Sequence, residues 1–312
     1  MSSGSIVVFG SLNMDIVSVV SRLPRRGETV PGSEFYTTPG GKGANQAVAC
    51  ARLGASVQMV GHVGGDNFGR ELINSLESDS IGISGIDVVD AGKTGVAMIS
   101  VDDSGENTIV AVYGANMLIS SDIESRLESA LADASVLLLQ NEIPIHANVV
   151  ASRIASALGI TVIWDPAPSV DGVSELSGLS TYLTPNQIEA EALSGIEIND
   201  IDSAMKACDI ILTRYDSIPV ITLGEKGVVY ASREKRKHVP AMDISVIDTV
   251  AAGDAFTGAL AVAIAEGLKV DESIRFAVGY GALAVGKKGA QASMGSRKEL
   301  DDFLKNQAAP ET

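Results

Sequence analysis

The chain has 312 residues, 46% of them hydrophobic, and a formal net charge of −16 at pH 7. This length suffices for one large α/β domain with a substantial buried core. A surface this acidic argues against nucleic acid or an anionic membrane as a partner, because both require a positively charged footprint. The protein is therefore expected to bind neither.

Cysteine content and apolar patterning bear on the cellular compartment. Cys50 and Cys208 are the only two cysteines, so the sequence predicts no disulfide framework and favours a reducing compartment. Residues 1–10 lack the basic and apolar regions of a signal peptide. The longest apolar runs, such as residues 136–139, are too short to cross a bilayer. These features predict a soluble cytoplasmic protein.

The first 80 residues alternate between strand and helix patterns. Short apolar or β-favouring runs predict strands over residues 6–9, 16–20, 34–37 and 56–63. Apolar residues at helical spacing predict helices over 43–53 and 68–76, and Gly54 suits the end of the first.

Residues 95–113 interrupt this alternation. The runs 96–99 and 108–112 flank the sequence DDSG (residues 102–105), whose composition is typical of a hairpin turn. Together with the strand that follows Asp15, this hairpin is predicted to form a small sheet inserted into the larger fold.

Strands and helices alternate again through the rest of the chain. Strands are predicted over 136–140, 160–164, 182–183 and 220–223, and helices over 147–158, 255–266 and 273–285. Repeated strand–helix units imply a parallel sheet that is covered by helices on both faces. Because ligands bind such folds beyond the carboxyl ends of the strands, we expect the site residues there.

Two common nucleotide-binding motifs are absent from the sequence. A P-loop requires GxxxxGK[ST], but Tyr36 occupies the position of its first glycine and Gly43 that of its hydroxyl residue. The dinucleotide fingerprint GxGxxG does not follow the first strand. P-loop proteins and Rossmann dehydrogenases are therefore disfavoured.

Another way of binding phosphate is offered by the sequence DTVAAGDAFTGAL (residues 248–260). Ala251, Ala252 and Gly253 lead into a helix without a bulky side chain to shield its first amides. Those amides lack partners within the helix and carry partial positive charge, so the segment is suited to hold an anion. The same field favours the ionised form of Asp254, which suits a general base. The simpler interpretation, that Gly253 and Asp254 merely begin a helix, stays open.

Four further polar clusters lie near predicted strand ends. They are Asn13 with Asp15, GGKGAN (residues 40–45), QNE (residues 140–142) and TPNQIE (residues 184–189). Each cluster also has a purely structural interpretation. Asn13 and Asp15 suit an Asx turn, the glycines a tight connection, and QNE an ordinary loop. Asn186 followed three residues later by Glu189 has the spacing of a helix capping box.

Taken together, the clusters resemble the signatures of the ribokinase-like sugar kinases, also called the PfkB family, along almost the whole chain. GSLNMD (residues 10–15) and GGKGANQA (40–47) resemble the N-terminal signature, and DTVAAGD (248–254) resembles the C-terminal one. QNEIP (140–144), DPAP (165–168) and GAQ (289–291) are further similarities. The resemblance implies one three-layer α/β/α domain over residues 1–312, with a small β-sheet lid drawn from about 15–38 and 95–113.

The resemblance also implies an activity, the transfer of a phosphoryl group from ATP to O5 of D-ribose. It assigns Asp254 as the catalytic base and the amides of Ala251, Ala252, Gly253 and Asp254 as the anion hole. The residues that it assigns to the sugar, besides Asp254, are Asn13, Asp15, Gly41, Lys42, Asn45 and Glu142. The residues that it assigns to the nucleotide are Asn186, Thr222, Leu223, Gly224, Glu225, Lys226, Gly227, Gly253 and Asp254.

Metal ions and a second subunit are implied in the same way. Glu189 is linked to Mg²⁺ indirectly, and a K⁺ site that activates the enzyme is implied at another group of positions. These are Asp248, Val250, Ala284, Lys287, Gly289 and Ser293, several of them contributing backbone carbonyls. The lid is implied to form the interface of a homodimer.

The sequence departs from the family pattern at three positions. Asp165 stands where Asn is usual, Val250 where Thr is commoner, and Val278 where some members place a polar residue near the adenine. Two alternatives stay open, a kinase of this fold for another sugar or a nucleoside, and a non-catalytic sugar-binding regulator. The low aromatic content of 4% disfavours a nucleoside, and the intact DTVAAGD sequence disfavours the regulator.

Overall fold

A computed structural model describes residues 4–170 and 172–308 of the chain. Its strands are β1 (Ser5–Phe9), β2 (Asn13–Val20), β3 (Gly32–Gly40), β4 (Val57–Gly64), β5 (Gly82–Val89), β6 (Gly95–Asp102), β7 (Asn107–Val112), β8 (Ala134–Gln140), β9 (Thr161–Asp165), β10 (Tyr182–Leu183), β11 (Ile218–Thr222), β12 (Val228–Ala231) and β13 (Arg236–Val239). Its α-helices are α1 (Lys42–Arg52), α2 (Asn67–Ser78), α3 (Ile123–Leu131), α4 (Ile145–Ala157), α5 (Gln187–Ser194), α6 (Ile201–Tyr215), α7 (Ala252–Ala265), α8 (Val270–Val285) and α9 (Arg297–Ala308).

The main sheet has nine strands in the order β13-β12-β11-β10-β9-β8-β1-β4-β5. The strands from β11 to β5 in this order pair in parallel, while β12 and β13 add an antiparallel edge. All the parallel strands therefore end at one edge of the sheet. This is the ribokinase-like α/β fold that the sequence predicts.

Helices cover both faces of the main sheet, as the alternating pattern predicts. One apolar cluster packs α1, α2, α7, α8 and α9 against one face, and a second cluster packs α3, α4, α5 and α6 against the other. The side chains of β1 divide between them, since Ile6 and Val8 face the first cluster and Val7 and Phe9 the second. Period-two alternation along a strand that is buried on both faces produces this division.

A separate four-stranded sheet in the order β3-β2-β6-β7 forms the lid. Strand β2 continues from β1 after only three residues, so the lid is connected closely to the centre of the main sheet. The hairpin predicted around Gly105 is present as β6 and β7. Directly paired residues of adjacent strands point to the same face, so the register places Asp15 with Ala97 on one face and Ile16 with Met98 on the other.

Several element boundaries and some elements differ from the sequence predictions. Strand β2 begins at Asn13, three residues before the predicted start, so Asn13 and Asp15 lie in a strand rather than in an Asx turn. Helix α7 likewise begins three residues early, at Ala252. Strands β5, β12 and β13 and helices α3 and α9 were not predicted, although α3 carries Ile123, Leu127 and Leu131 at helical spacing. Among the described helices, none combines the length and the hydropathy needed to cross a bilayer.

Candidate active site

The predicted polar clusters meet at the carboxyl edge of the main sheet. Strand β8 delivers Glu142 two residues after its end, β9 ends in Asp165, and β10 is followed by Thr184 and Asn186. Strand β1 leads through three residues into Asn13 at the start of the lid. The amino end of α1 lies against this edge, because Ala44 N donates to Ser11 O at 2.9 Å.

Glu142 joins the start of α1 to the start of β2. Its Oε2 accepts hydrogen bonds from Lys42 N at 3.0 Å, from Asn13 Nδ2 at 3.4 Å and from the hydroxyl of Ser11. The approach depends on Gly41, whose φ of 89° is in the left-handed region and whose missing Cβ would lie 2.7 Å from Asn13 N. Glycine at this position therefore lets the helix start against the strand.

Asn116 orients the amide of Asn13 and was not identified from the sequence. Asn116 Nδ2 donates to Asn13 Oδ1 at 2.8 Å, so Asn13 Nδ2 must face Glu142. Asn116 also accepts from Leu12 N at 2.9 Å. Because Asn116 lies 103 residues from Asn13 in the sequence, no local pattern could have revealed it.

Asp15 is a buried carboxylate that, within the described residues, accepts no hydrogen bond from the protein. Burial raises its pKa to about 7, and the nearby charges of Glu142 and Asp254 add to the increase. A Cβ at position 40 would come within 2.4 Å of the carboxylate, so Gly40 leaves room for it. An unsatisfied acceptor of this kind is suited to hydroxyl groups of a ligand.

The carboxylate of Asp254 faces the same chamber from helix α7. Its Oδ2 accepts from Asn45 Nδ2 at 2.9 Å, and its Oδ1 accepts from Gln46 Nε2 at 3.2 Å. Lys42 Nζ lies 3.8 Å from Oδ1. Three side chains from the start of α1 thus fix the position of a carboxylate that is almost fully buried.

Lys42 is the cation of the chamber. Burial by itself lowers its pKa, but the charges of Asp165, Asp254, Glu142 and Glu189 together outweigh that effect and raise it. Its Nζ lies 3.4 Å from Asp165 Oδ2. Lys42 therefore stays charged and is shared between carboxylates from two different elements.

Gln46 and Asp165 belong to the site although the sequence reasoning did not assign them to it. Gln46 lies four residues after Lys42, on the same face of α1, and its Nε2 donates to Asp165 Oδ2 at 3.0 Å. Gln46 could have been found from the sequence, because it lies four residues after the predicted site residue Lys42 and therefore on the same side of the helix. For Asp165 the signal was its position at the carboxyl end of a strand and its departure from the usual Asn.

The amino end of α7 is open, as the sequence predicts. Ala251 adopts left-handed backbone angles with φ of 57°, which is unusual for a residue with a Cβ, and no side chain caps the helix. A Cβ at Gly253 would meet no atom within 4 Å. The amide of Ala252 donates to Thr249 O at 3.3 Å, whereas those of Ala251, Gly253 and Asp254 have no backbone acceptor among the described residues. Of the four predicted anion-hole amides, that of Ala252 is therefore already engaged, and the other three remain candidates.

A cavity of about 620 Å³ extends from this helix start towards α8. Thr222, Gly224, Glu225, Gly227 and Gly253, all predicted nucleotide residues, line it. The far end is walled by apolar side chains, namely Met242, Ile244, Val246, Val278 and Val285. The cavity therefore joins an apolar chamber to exposed amides, an arrangement that suits a flat ring attached to phosphates.

Two predicted nucleotide residues turn their side chains away from this cavity. Leu223 is buried in the apolar cluster under α6, and Lys226 Nζ donates to Asn199 O at 3.1 Å. Asn186 is exposed next to Thr222, with which it forms an isolated parallel bridge. Only the backbone of Leu223 and Lys226 is available to a ligand in this arrangement.

Asn186 and Glu189 form the capping box that was the structural alternative. Asn186 Oδ1 accepts from Glu189 N at 3.0 Å, and Glu189 Oε2 accepts from Asn186 N at 2.8 Å. The Glu189 carboxylate is nevertheless close enough to Lys42 and Asp165 for its charge to raise the pKa of both. One oxygen of Glu189 is left for a ligand on the site side.

The predicted K⁺ residues lie in two adjoining turns. Asp248 Oδ1 accepts from Val250 N at 3.0 Å and its Oδ2 accepts from Gly289 N at 2.8 Å. Ala284 is at the end of α8, Ser293 follows in a short 3-10 helix, and the Lys287 side chain points away to Glu299. In the described part of the chain, no three His, Cys, Asp or Glu side chains are grouped as a metal site. A carbonyl-rich site for a monovalent cation is compatible with that result.

Comparisons with known proteins agree with this geometry. The model of the pfkB family carbohydrate kinases matches residues 3–297. The ribokinase of Haemophilus influenzae is 38% identical over 302 residues, covering 97% of this chain and 99% of its own, and a deoxyribokinase of Salmonella typhimurium is 32% identical over 300 residues, covering 96% and 98%. The structure of Arabidopsis thaliana ribokinase complexed with ribose and ATP superposes with a TM-score of 0.88 at 32% identity, covering 98% and 99% of the two chains. On this evidence, the chain belongs to the pfkB family of carbohydrate kinases.

Proposed function

We propose that the protein phosphorylates D-ribose at O5 with ATP as the phosphoryl donor. The observation that carries the proposal is the position of Asp254 in the first turn of α7. Its carboxylate faces the polar chamber of Asn13, Asp15 and Glu142, while the amides of the same turn open into the 620 Å³ cavity. One residue thus stands between a hydroxyl-binding chamber and a phosphate-binding helix start.

The sugar is bound by groups from the lid and from α1. Asp15 and Glu142 accept hydrogen bonds from the ribose hydroxyls, and Asn13, Lys42 and Asn45 donate to them, at the amino end of α1 where Gly41 leaves space. Paired acceptors and donors suit vicinal hydroxyl groups. The unsatisfied carboxylate of Asp15 supports this assignment.

In the reaction, Asp254 accepts the proton of the 5-hydroxyl group while O5 of the sugar attacks the γ-phosphorus. The new O5–P bond forms while the bond from the γ-phosphorus to the β,γ-bridging oxygen breaks, and ADP leaves. The amides of Gly253 and Asp254 donate to the transferring phosphoryl oxygens. General-base assistance of this kind typically contributes about 10²–10⁴-fold in rate.

ATP occupies the cavity beside α7 and α8. Its adenine packs among apolar residues that include Val278, and its phosphates lie along Thr222–Gly227 towards Gly253. Asn186 and the backbone of Leu223 and Lys226 flank the phosphate end. The cavity volume of about 620 Å³ is in the range of sites for ligands of this size.

Two kinds of metal ion fit the residues present. Glu189 keeps one carboxylate oxygen beside the phosphate end, which suits Mg²⁺ carried by ATP, since that ion usually takes few protein ligands. When bound, Mg²⁺ supplies charge neutralisation for the phosphates. The turns that contain Asp248, Val250, Ala284, Lys287, Gly289 and Ser293 suit K⁺, and they adjoin the start of α7 in sequence and in hydrogen bonding.

The lid supports a homodimer interface. Phe35, Met98, Val110 and Val112 are exposed, and the strand register places them on the face opposite Asp15. Four exposed apolar side chains on one sheet face mark an interaction surface. A second copy that covers this face would also hold the lid over the sugar.

A coupled ADP-release assay with several acceptors tests the proposed function. D-ribose, 2-deoxy-D-ribose, a hexose and a nucleoside are compared at equal concentration with ATP. We expect D-ribose to have the highest kcat/KM, with 2-deoxy-D-ribose as the second candidate because a deoxyribokinase is among the 32% identical relatives. A higher kcat/KM for any other acceptor contradicts the sugar assignment, and ADP release independent of every acceptor contradicts the kinase proposal.

A further inference from the structure

Asp165 makes two contacts inside the active-site chamber. It is the last residue of β9 and is almost fully buried. Its Oδ2 accepts from Gln46 Nε2 at 3.0 Å and lies 3.4 Å from Lys42 Nζ. An asparagine at the same position would keep the shape but not the charge, so the contact with Lys42 is an ion pair only because residue 165 is an aspartate.

The same two side chains also reach Asp254. Gln46 Nε2 lies 3.2 Å from Asp254 Oδ1, and Lys42 Nζ lies 3.8 Å from that oxygen. The orientation of the Gln46 amide follows from its other contact, since its Oε1 accepts a hydrogen bond from Gln140 Nε2 at 2.7 Å. One amide and one ammonium therefore bridge two carboxylates.

Lys42 Nζ does not lie equally close to the two carboxylates, and the difference bears on how well Asp254 can act as a base. The ammonium lies nearer Asp165, at 3.4 Å, than Asp254, at 3.8 Å. An ammonium paired with Asp254 alone would occupy the oxygen that must receive a proton. Asp165 offers that ammonium a second partner.

We propose that Asp165 is a positioning residue that retains the Lys42 ammonium, so that Asp254 Oδ1, which already accepts from the Gln46 amide, keeps its remaining lone pair for the proton of the sugar hydroxyl. The proposal rests on the proposed role of Asp254 as the base. It extends that function to Asp165, a carboxylate that is assigned neither to the sugar nor to the nucleotide. This carboxylate is expected to affect the rate of phosphoryl transfer.

The charged groups around Asp165 set the pH range over which it can hold Lys42. Burial raises the pKa of Asp165 to about 7, while Lys42 acts in the opposite direction and Asp254 and Glu189 add to the increase. Glu142 also lies close to Lys42. Since three other carboxylates compete for one ammonium, removing the charge of Asp165 changes how that ammonium is shared.

The direct test is Asp165→Asn, which keeps the side-chain shape and removes the charge. We expect kcat to fall about tenfold, because a misplaced group near the reacting atoms has effects of this order or larger. We expect KM for ATP and the melting temperature to stay close to those of the wild type. The acid limb of the kcat profile should move to lower pH, because the wild-type limb includes protonation of Asp165, whose pKa is raised to about 7.

A double-mutant cycle with Lys42→Met separates this role from a structural one. Without the ammonium there is nothing for Asp165 to retain, so Asp165→Asn should cause no further loss of kcat in the Lys42→Met protein. Equal losses in both backgrounds, or an acid limb that does not move in the single variant, overturn the proposal. If Lys42→Met is too slow to measure, the movement of the acid limb decides alone.

Two controls distinguish failure of the inference from failure of the proposed function. Asp87→Asn removes a partly buried carboxylate of β5 that pairs with Arg126, away from the chamber, and should leave kcat unchanged. Asp254→Asn is assayed alongside, with whichever acceptor has the highest kcat/KM. Retained turnover in Asp254→Asn refutes the role of Asp254 as the base. If turnover is lost in that variant but the effects of Asp165→Asn and Lys42→Met on kcat are additive, only the inference about Asp165 is refuted.

Discussion

Asn45 and Asp254 are joined by a hydrogen bond of 2.9 Å although 209 residues separate them in the sequence. The bond exists because α1 and α7 pack closely at Gly258, where a Cβ would lie 2.7 Å from Ala49 Cβ. Small residues at the crossing thus bring an amide of one helix to a carboxylate of the other. The position of the proposed base is consequently a property of helix packing.

We expect Asp254→Asn to lower kcat by at least about 10²-fold, since it removes the proton acceptor. Ribose affinity, measured by calorimetry, should change little, because the new side chain has nearly the same volume. Wild-type turnover in this variant would remove Asp254 from its proposed role.

Gly253→Ala tests the anion hole. The new methyl group meets no protein atom within 4 Å and replaces a helical glycine, so stability should rise by up to about 1 kcal/mol. Because the methyl group lies where the phosphoryl group is expected, kcat should fall about tenfold or more.

Gly258→Ala is the matched control for that variant, with the same change five residues further along α7. Its methyl group would collide with Ala49, so thermal unfolding should show a clear loss of stability. Unchanged kcat in Gly253→Ala, measured with saturating ribose and ATP, would contradict the proposed phosphate position.

Asp15 should make ribose capture dependent on pH near neutrality. Its pKa is raised from 3.8 to about 7, so the carboxylate becomes protonated and loses acceptor capacity as the pH falls below about 7. We expect kcat/KM for ribose to decrease below that pH in the wild type. In Asp15→Asn this dependence should be lost and kcat/KM should be lower at every pH.

The same shift in pKa predicts the pH dependence of stability. Between pH 3.8 and about 7 the folded protein binds the Asp15 proton more tightly than the unfolded chain, so this group's contribution to stability falls as pH rises. Asp15→Asn should therefore raise the melting temperature more at pH 8 than at pH 5, without ligands. If Asp15→Asn changes the melting temperature by the same amount at both pH values, the result argues against the raised pKa of Asp15.

The lid face should mediate dimer formation. Val110→Glu places a charge on the exposed apolar face, and we expect the dimer dissociation constant to rise by about 10²-fold or more. Light scattering coupled to size-exclusion chromatography over a range of concentrations measures it. Leu158→Glu is the control, since Leu158 at the end of α4 is 52% exposed, close to the 58% of Val110. A monomeric wild type, or equal effects of both changes, contradicts the lid interface.

Activity should be higher in K⁺ than in Na⁺ at the same ionic strength. The turns around Asp248 and Gly289 adjoin the start of α7, so an ion held there would order the segment that leads to Gly253. Asp248→Ala should remove the difference between the two salts. Equal rates of the wild type in both salts would count against the site.

Much of the main sheet was predictable from the sequence, because strands buried on both faces carry continuous apolar runs and amphipathic helices carry a clear apolar period. Strand β13 and helix α9 were not, since the first is largely exposed and the second is dominated by charged residues. The start of β2 was also placed too late, because Asn13 and Asp15 have a composition typical of turns. Here the pairing of β2 with β3 and β6 in the lid sheet outweighs the preference of these two residues for turns.

The sequence by itself determined which segments supply the polar clusters and that α7 begins without a side-chain cap, because these are local properties of residue type and spacing. Only the tertiary structure decided that Gln46 and Asp165 meet Lys42 and Asp254. Those contacts join elements 119 to 208 residues apart. They depend on how closely α1 approaches β9 and α7, a distance that is set by packing across the whole domain.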